Sequence, residues 1–289
     1  MILVSGSAGK TGLAVIGALA RRGAAVRGLV KTEAQAAPVI GAGAGSIVTG
    51  DMEEFSTWQR ALKGVRALYL ISPNMHPRET VIGRLALYAA RRAGVAHVVY
   101  HSVLHPQTEA MSHHWQKLRV EEMLFESRIP FTIFQPAPYM QNFLAGWKHI
   151  IEDGVLRVPY SVHANFSFVH LEDIAEAAKV VLTQAGHKNA IYELAGTLPT
   201  SHMDVAEVFC RVLGRDVHAE KEEIGDWKAR AQQGRISKYA LENLINMFTY
   251  YDQWGLVGNS NVLRWLLKRE PMSLESFIVR IANENNAAN

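Results

Sequence analysis

Three glycines near the amino terminus have the spacing of a phosphate-binding turn. Gly6, Gly9 and Gly12 follow a short apolar run and precede an alanine-rich helical pattern. A strand, a tight turn and a helix in this order direct the first backbone N–H groups of the helix at the turn, which suits a pyrophosphate. Glycine-rich turns also occur without a ligand, so a purely structural turn is the alternative. The turn predicted to form this anion site consists of Gly6, Ser7, Ala8, Gly9, Lys10, Thr11 and Gly12.

A cation follows the second predicted strand, about 20 residues past the glycine turn. A dinucleotide site that selects NAD carries Asp or Glu there to accept the ribose 2′-hydroxyl, whereas this chain has Lys31. A lysine suits the 2′-phosphate of NADP(H), which makes NAD(H) the less favoured cofactor. The alternative is a solvated lysine near the start of a helix.

Two further strand ends carry residues that can line the same cofactor. Asp51 and Met52 follow the third predicted strand, beside the expected adenine, where a carboxylate can accept a hydrogen bond from the exocyclic amine. A cap on the next helix is the alternative for Asp51. Ser72 and Pro73 end the fourth predicted strand, where the chain is expected to pass the inner ribose of the cofactor.

A histidine and a lysine share one face of a predicted helix. His113 and Lys117 are four residues apart, and Val120 and Leu124 continue their face. This pattern predicts that Lys117 turns toward the sheet and takes an anionic or hydroxyl-rich partner, such as a cofactor ribose. A lysine whose stem alone is buried at a domain edge is the alternative.

The histidines favour proton exchange over metal binding. His101, His105, His113 and His114 match no common zinc spacing, so no metal site is predicted. His113 can exchange a proton near neutral pH, which makes it a candidate acid. Ser102, after the fifth predicted strand, is a further candidate catalytic residue.

Short apolar strands alternate with helical segments through the first half of the chain. This rhythm predicts βαβ units and an α/β fold with a doubly wound parallel sheet of the Rossmann type, with the ligand at the carboxyl ends of the strands. Thr32 and Gln35 have the spacing of a capping box at the start of the second helix. We predict a dinucleotide-binding domain over 1–137, with returning segments near 166–195, and a smaller C-terminal α/β lobe over 138–289 that supplies the substrate side or lid.

The second half of the chain has weaker patterns. The region from Pro138 to about residue 165 is predicted to be irregular, and Phe166 to Val169 is predicted to be a returning strand. The pattern also predicts a strand over 190–194 and helices over 171–182, 201–213, 224–233, 237–254 and 273–283.

The composition is that of an ordinary globular protein. Of the 289 residues, 48% are hydrophobic and 20% are charged, with a formal net charge of +3. Basic residues are scattered through helical patterns, so nucleic acid is not an expected partner. A single cysteine, Cys210, excludes an intrachain disulfide and fits a reducing compartment. No signal peptide or membrane-spanning run is visible, which predicts a cytoplasmic protein without a membrane partner.

In combination, several motifs resemble the NmrA-like family of atypical short-chain dehydrogenases/reductases. The motifs are the glycine turn, Gly50-Asp51, HHWQK at 113–117, EEML at 121–124, IPFTI at 129–133, QPAPYMQN at 135–142 and VHLEDIA at 169–175. The resemblance covers most of residues 1–195 and weakens after about residue 200. It implies a Rossmann domain that holds NADP(H). Members include quinone and dye reductases, isoflavone-reductase-like enzymes and dinucleotide-binding regulators of transcription.

The resemblance also implies roles for individual residues. Lys31 would hold the 2′-phosphate and Lys117 the nicotinamide ribose. The residues expected to pass the nicotinamide are Pro138, Tyr139, Met140 and Gln141. The wider superfamily has Tyr-x-x-x-Lys with tyrosine as the acid, whereas this chain has His113 four residues before Lys117. A quinone or dye could instead take its proton from solvent, His113 or Tyr139.

Two functions follow as hypotheses. The first is an NADPH-dependent reductase that transfers a hydride to a small quinone-like or aromatic acceptor. Aromatic residues that could stack on such an acceptor, or pack as a core between the lobes, are Trp115, Tyr139, Phe143 and Trp147. The second is a regulator that senses NADP(H) without turnover and acts through a protein partner.

Overall fold

The computed structural model describes residues 1–234 and 236–286. Its strands are β1 (Ile2–Val4), β2 (Val26–Val30), β3 (Ser46–Thr49), β4 (Ala67–Leu70), β5 (His97–His101), β6 (Phe131–Pro136), β7 (Val155–Val158), β8 (Ala190–Leu194) and β9 (His218–Lys221). Its α-helices are α1 (Lys10–Arg21), α2 (Ala36–Gly41), α3 (Phe55–Ala61), α4 (Glu79–Arg92), α5 (Ser112–Glu126), α6 (Trp147–Glu152), α7 (Leu171–Thr183), α8 (His202–Leu213), α9 (Ile224–Gln232), α10 (Lys238–Trp254), α11 (Asn261–Leu267) and α12 (Leu274–Asn286).

The described chain divides into two compact units. The first unit comprises Met1–Pro136 and Leu171–Tyr192. The second comprises Ala137–His170 and the described residues from Glu193 onward. Within the described ranges, no helix has both the length and the apolar character needed to cross a bilayer.

The main sheet has seven strands in the order β3-β2-β1-β4-β5-β6-β8. The strands from β3 to β6 pair in parallel, with Leu3 opposite Arg27 on one side and Leu68 on the other. The chain begins at β1, moves outward to β3 and then returns to β4, so the direction of winding reverses between β1 and β4. A ligand crevice is expected at this reversal, outside the carboxyl ends of the strands. The predicted doubly wound Rossmann sheet is confirmed.

Buried apolar side chains join the sheet to its helices. One cluster fixes α3, α4 and α5 to the sheet through fully buried residues such as Trp58, Leu68, Ile82 and Val120. Helices α1 and α7 pack against each other. Right-handed crossovers place α1 on the face of the sheet opposite α4 and α5. The start of α1 and the buried face of α5 are therefore held on a rigid support.

The capping box predicted near the second helix is confirmed. Gln35 Oε1 accepts hydrogen bonds from the backbone N–H groups of Lys31 at 2.9 Å and Thr32 at 3.2 Å. The segment it caps begins with a short 3₁₀ turn, Glu33–Gln35, which leads into α2. The chain therefore leaves β2 in a defined direction, with Lys31 at the strand end.

The prediction of a strand from Phe166 to Val169 is wrong. The segment is buried, but its backbone bonds go to separate partners instead of one neighbouring strand. Phe166 bridges to both Thr200 and Leu256, and Val169 bridges to Tyr139. An apolar run predicts burial but does not guarantee a continuous ladder.

The region predicted to be irregular before residue 165 contains regular structure. It holds α6, β7 and a 3₁₀ segment, Met140–Gly146. Strand β7 pairs in parallel with β9, a strand that the sequence pattern did not predict. The sequence of β9, His-Ala-Glu-Lys, is mostly exposed and carries no apolar alternation. Helix α11 was also not predicted.

Candidate functional site

The turn after β1 is tied to both neighbouring strands. Ser5 Oγ donates to the carbonyl of Ile71 at 2.9 Å and accepts from its N–H at 2.8 Å. Ser7 Oγ donates to the carbonyl of Leu29 at 2.6 Å. Ser7 is fully buried, so its side chain shapes the turn and does not face a ligand. Gly6 has a φ of 57°, a left-handed conformation that glycine adopts without strain.

Two glycines let the backbone approach itself closely at the start of α1. A Cβ at Gly12 would lie 2.5 Å from the carbonyl oxygen of Gly6 and 2.6 Å from Ser7 Cα. Gly9 is the N-cap, and no side chain caps the helix there. The N-terminal N–H groups of a helix lack intrahelical partners and carry partial positive charge, so this uncapped turn fits a diphosphate.

Lys31 and Asp51 meet at the carboxyl ends of β2 and β3. Lys31 Nζ lies 3.2 Å from Asp51 Oδ2, and the two side chains are 71% and 42% exposed. Asp51 also accepts a hydrogen bond from the N–H of Glu53 at 2.9 Å. The backbone bond from Glu53 is the largest cause that lowers the pKa of Asp51, and the bond and positive charge of Lys31 lower it further. Partial burial acts in the opposite direction and raises the pKa. An exposed ion pair contributes little, so the ammonium can turn to a phosphate at small cost.

Met52 and Ser72 occupy the neighbouring strand ends. Met52 packs against the hydrophobic core of the first unit, and its carbonyl accepts from Trp58 Nε1 at 2.8 Å. Ser72, just before the partly buried Pro73, is 5% exposed. Its Oγ finds no hydrogen-bond partner within the described ranges. A buried hydroxyl without a partner is costly, so a ligand hydroxyl or phosphate would satisfy it.

Lys117 points inward and has a carboxylate partner within the chain. Its Nζ lies 2.7 Å from Glu79 Oε1, and the side chains are 11% and 1% exposed. The hydroxyl of Tyr100 donates to the same oxygen at 3.1 Å. The ammonium also lies 5.8 Å from the centre of the Tyr100 ring. Sequence reasoning predicted the inward lysine but missed Glu79, since an acid in the first turn of a helix is ordinarily a solvated, dipole-favoured residue.

A second buried carboxylate holds Ser102. Ser102 Oγ donates a short hydrogen bond to Glu121 Oε1, and Gln135 Nε2 donates to both carboxylate oxygens at 3.1 and 3.0 Å. Burial raises the pKa of Glu121, and the bonds from Ser102 and Gln135 and the charge of Lys117 oppose that rise. His113, Lys117 and Glu121 therefore form one buried polar stripe along α5.

The predicted acid, His113, is neutral at physiological pH. Burial, followed by the nearby His114 and Lys117, lowers the pKa of His113 to about 3. Its ring lies edge-on to that of His114, with centroids 4.5 Å apart. An imidazolium at this position is a minor species at neutral pH, so the expectation of a readily exchanged proton is weakened. Among the described residues, no group of three or more potential ligands is assembled to hold a metal ion.

Several other histidines are buried in the uncharged state. Burial is the largest cause that lowers their pKa values from 6.5, to about 3 for His101 and about 4 for His97, His114 and His202. The unfolded chain takes up protons below about pH 6.5 that the folded chain refuses. Each buried histidine therefore contributes to the free energy of unfolding above pH 6.5. That contribution decreases as the pH falls toward 4, by up to about 1.4 kcal/mol per histidine per pH unit.

We expect this acid sensitivity to appear in urea unfolding midpoints, which should fall between about pH 7.5 and about pH 5. Substituting His97→Gln, which retains a donor for Thr132 Oγ1 at the 2.9 Å contact, should make the fall shallower. His163→Gln, at an exposed position, is the matched control and should leave it unchanged. Equal midpoints at the two pH values would contradict the assignment.

The predicted nicotinamide neighbours lie in the second unit. Tyr139 precedes the 3₁₀ segment and bridges to Val169. Backbone bonds of 3.0 Å join Val169 N–H to the Pro138 carbonyl and Met140 N–H to the Val169 carbonyl. Met140 is fully buried, so its side chain is closed to a ligand, whereas Pro138, Tyr139 and Gln141 are partly exposed.

The aromatic residues singled out in the sequence have different surroundings. Phe143 packs on Phe168, with ring centroids 5.1 Å apart, and Trp147 lies 6.1 Å from Phe209. These rings belong to an aromatic core of the second unit. In the first unit, the guanidinium of Arg119 lies 5.1 Å from the ring of Trp115.

The parallel sheet, the winding reversal and the glycine turn at the start of α1 define a dinucleotide-binding protein of the Rossmann class. The chain belongs to the NmrA-like family, whose sequence model matches residues 1–278. The resemblance found in the sequence motifs is therefore confirmed, and it extends past residue 200, where those motifs weaken.

Individual relatives are similar over much or all of the chain. Quinone oxidoreductase 2 of Escherichia coli is 26% identical over 99% of this chain and 100% of the relative. An NAD(P)H azoreductase of Xenophilus azovorans is 29% identical over 75% of each chain. A crystal structure of an NADPH-dependent quinone oxidoreductase from Escherichia coli, in complex with NADPH, matches with a TM-score of 0.85 and 25% identity over 98% of this chain and 100% of the other.

Proposed function

We propose that this chain is an NADPH-dependent oxidoreductase that transfers a hydride to a small quinone-like or aromatic dye acceptor. The observation that carries the proposal is the turn from Gly6 to Gly12, where the backbone leaves no room for a Cβ at Gly12 and the helix start has no side-chain cap. The similarity to a quinone oxidoreductase over nearly the whole chain supports the class of acceptor.

We assign each part of the dinucleotide to residues of this chain. The backbone of Gly6, Ala8, Gly9, Lys10 and Thr11 would face the diphosphate, while Ser7 and Gly12 shape the turn from behind.

The other parts of the dinucleotide are assigned to residues beyond the turn. Lys31 would hold the 2′-phosphate, and Asp51 and Met52 would border the adenine. Ser72 would bond the inner ribose beside Pro73. Pro138, Tyr139 and Gln141 remain neighbours of the nicotinamide by resemblance.

NADPH supplies the hydride when it is bound, so the chain has to orient the cofactor and the acceptor. Lys117 would donate hydrogen bonds to the nicotinamide ribose and thereby fix the reactive face. His113 is neutral at physiological pH, so the reduced acceptor would take its proton from water or from the hydroxyl of Tyr139. This route does not need the tyrosine acid of the wider superfamily.

The cofactor preference is tested at Lys31. We expect Lys31→Ala to raise KM for NADPH about tenfold and to leave KM for NADH unchanged, because only NADPH carries the 2′-phosphate. Steady-state kinetics with both cofactors and one quinone would measure this. Lys63→Ala, another exposed lysine of the same unit, is the control. An equal rise for both cofactors would refute the assignment.

Turnover separates the enzyme from the alternative, an NADP(H) sensor that acts through a protein partner. Binding is measured by quenching of protein fluorescence, and oxidation by loss of the near-ultraviolet band of NADPH. Tight binding with no oxidation by any quinone or azo dye would favour the sensor and contradict the reductase.

A further inference from the structure

Glu79 is a carboxylate that the hydride transfer does not use directly. It is the first residue of α4 and is only 1% exposed, so it cannot touch a cofactor or an acceptor itself. One oxygen, Oε1, accepts from both Lys117 Nζ at 2.7 Å and the hydroxyl of Tyr100 at 3.1 Å. The carboxylate is therefore fixed from two sides, by α5 and by β5.

We propose that Glu79 is the positioning residue for the nicotinamide ribose and acts through Lys117. An ammonium group has three N–H donors, and the bond to Glu79 uses one of them. That bond leaves two donors for the ribose hydroxyls and holds the nitrogen in one place. The inference rests on the proposed function, because it takes NADPH as the ligand.

Burial explains why a carboxylate is needed at this position. A lysine that is 11% exposed loses most of its hydration, and removing one partner of a buried pair leaves an uncompensated charge. The Tyr100 ring beneath the ammonium adds a weaker attraction. Lys117 then presents hydrogen-bond donors to the site, while Glu79 cancels its charge.

The same contact could serve only to tie α4 to α5, and a double-mutant cycle distinguishes the two roles. NADPH dissociation constants are measured by fluorescence for the wild-type chain, Glu79→Gln, Lys117→Met and the double variant. Glu79→Gln is expected to weaken NADPH binding about tenfold. The amide oxygen can still accept a hydrogen bond from the ammonium, but the negative charge that strengthens this bond is gone. The double variant should bind NADPH no more weakly than Lys117→Met alone.

A merely structural Glu79 gives a different pattern. Its loss would lower the melting temperature without weakening NADPH binding, or its effect on binding would add in full to that of Lys117→Met. Either result would overturn the proposal. If Glu79→Gln or Lys117→Met fails to fold because the remaining partner is left buried and unpaired, Tyr100→Phe provides a milder variant. It removes only the hydroxyl bonded to Glu79. It should weaken NADPH binding about threefold, and not at all in the Lys117→Met background.

Failure of this inference is distinguishable from failure of the proposed function, because the cycle is read from binding. A wild-type chain that binds NADPH but oxidises none would refute the reductase and leave the cycle decisive for Glu79. A wild-type chain that binds no NADPH would refute both.

Discussion

Replacing Gly12 with alanine is expected to weaken NADPH binding at least a hundredfold. The added Cβ would lie 2.5 Å from the Gly6 carbonyl oxygen and 2.6 Å from Ser7 Cα, and neither backbone atom can move without opening the turn. Overpacking of this kind typically costs about 1–3 kcal/mol of stability, so the melting temperature should also fall. Fluorescence titration with NADPH and a thermal melt measure the two effects.

Gly17→Ala is the matched control, since Gly17 lies on the same helix. A Cβ there would have only ordinary contacts, the nearest at 3.4 Å from Arg21 Nη1. Alanine is favoured over glycine inside a helix by about 0.5–1 kcal/mol, so this variant should keep NADPH binding and melt at an equal or higher temperature. Wild-type affinity for NADPH in Gly12→Ala would contradict the role of the turn.

Replacing Lys117 with methionine is expected to lower kcat/KM for NADPH about a hundredfold. Methionine fills a similar volume but removes the donors proposed to fix the nicotinamide ribose. It also leaves Glu79 buried at 1% exposure with Tyr100 as its remaining bonded donor. Breaking a buried pair in this way typically costs about 3–5 kcal/mol, so the free energy of unfolding should fall as well.

Two measurements separate the kinetic effect of Lys117→Met from its effect on stability. One is a control variant at an exposed lysine, and the other is the KM for the quinone. Lys63→Met, at an exposed lysine, should change neither quantity. In Lys117→Met the KM for the quinone should remain near the wild-type value, because the lysine is assigned to the cofactor. A variant that is less stable but has wild-type kcat/KM would show that Lys117 serves only the fold.

Local chemistry made the first unit predictable. The apolar run of β1 and the spacing of Gly6, Gly9 and Gly12 depend only on residues a few positions apart, and β8, at the edge of the same sheet, was predicted with its observed bounds. The inward direction of Lys117 followed from Val120 and Leu124 on the same helix face, and its burial agrees with that pattern. The periodicity of apolar residues therefore predicted the direction of side chains wherever one face of an element is buried.

Tertiary partners could not be predicted in this way. Glu79 and Lys117 are 38 residues apart, and no local pattern shows that α4 and α5 bring them together. Strand β9 lacked an apolar signal because most of its residues are exposed. Phe166 to Val169 gave the opposite error, since burial came without a continuous strand partner. The fully buried side chain of Met140 likewise follows from packing that its neighbours in sequence do not reveal.

The most direct test of the central claim is oxidation of NADPH by the purified chain in the presence of a simple quinone such as benzoquinone. The account predicts saturable loss of the NADPH band, with one quinone reduced per NADPH consumed and much slower turnover in Lys117→Met. No oxidation above the rate without protein would contradict it, and absence of NADPH binding as well would leave the glycine turn a structural feature.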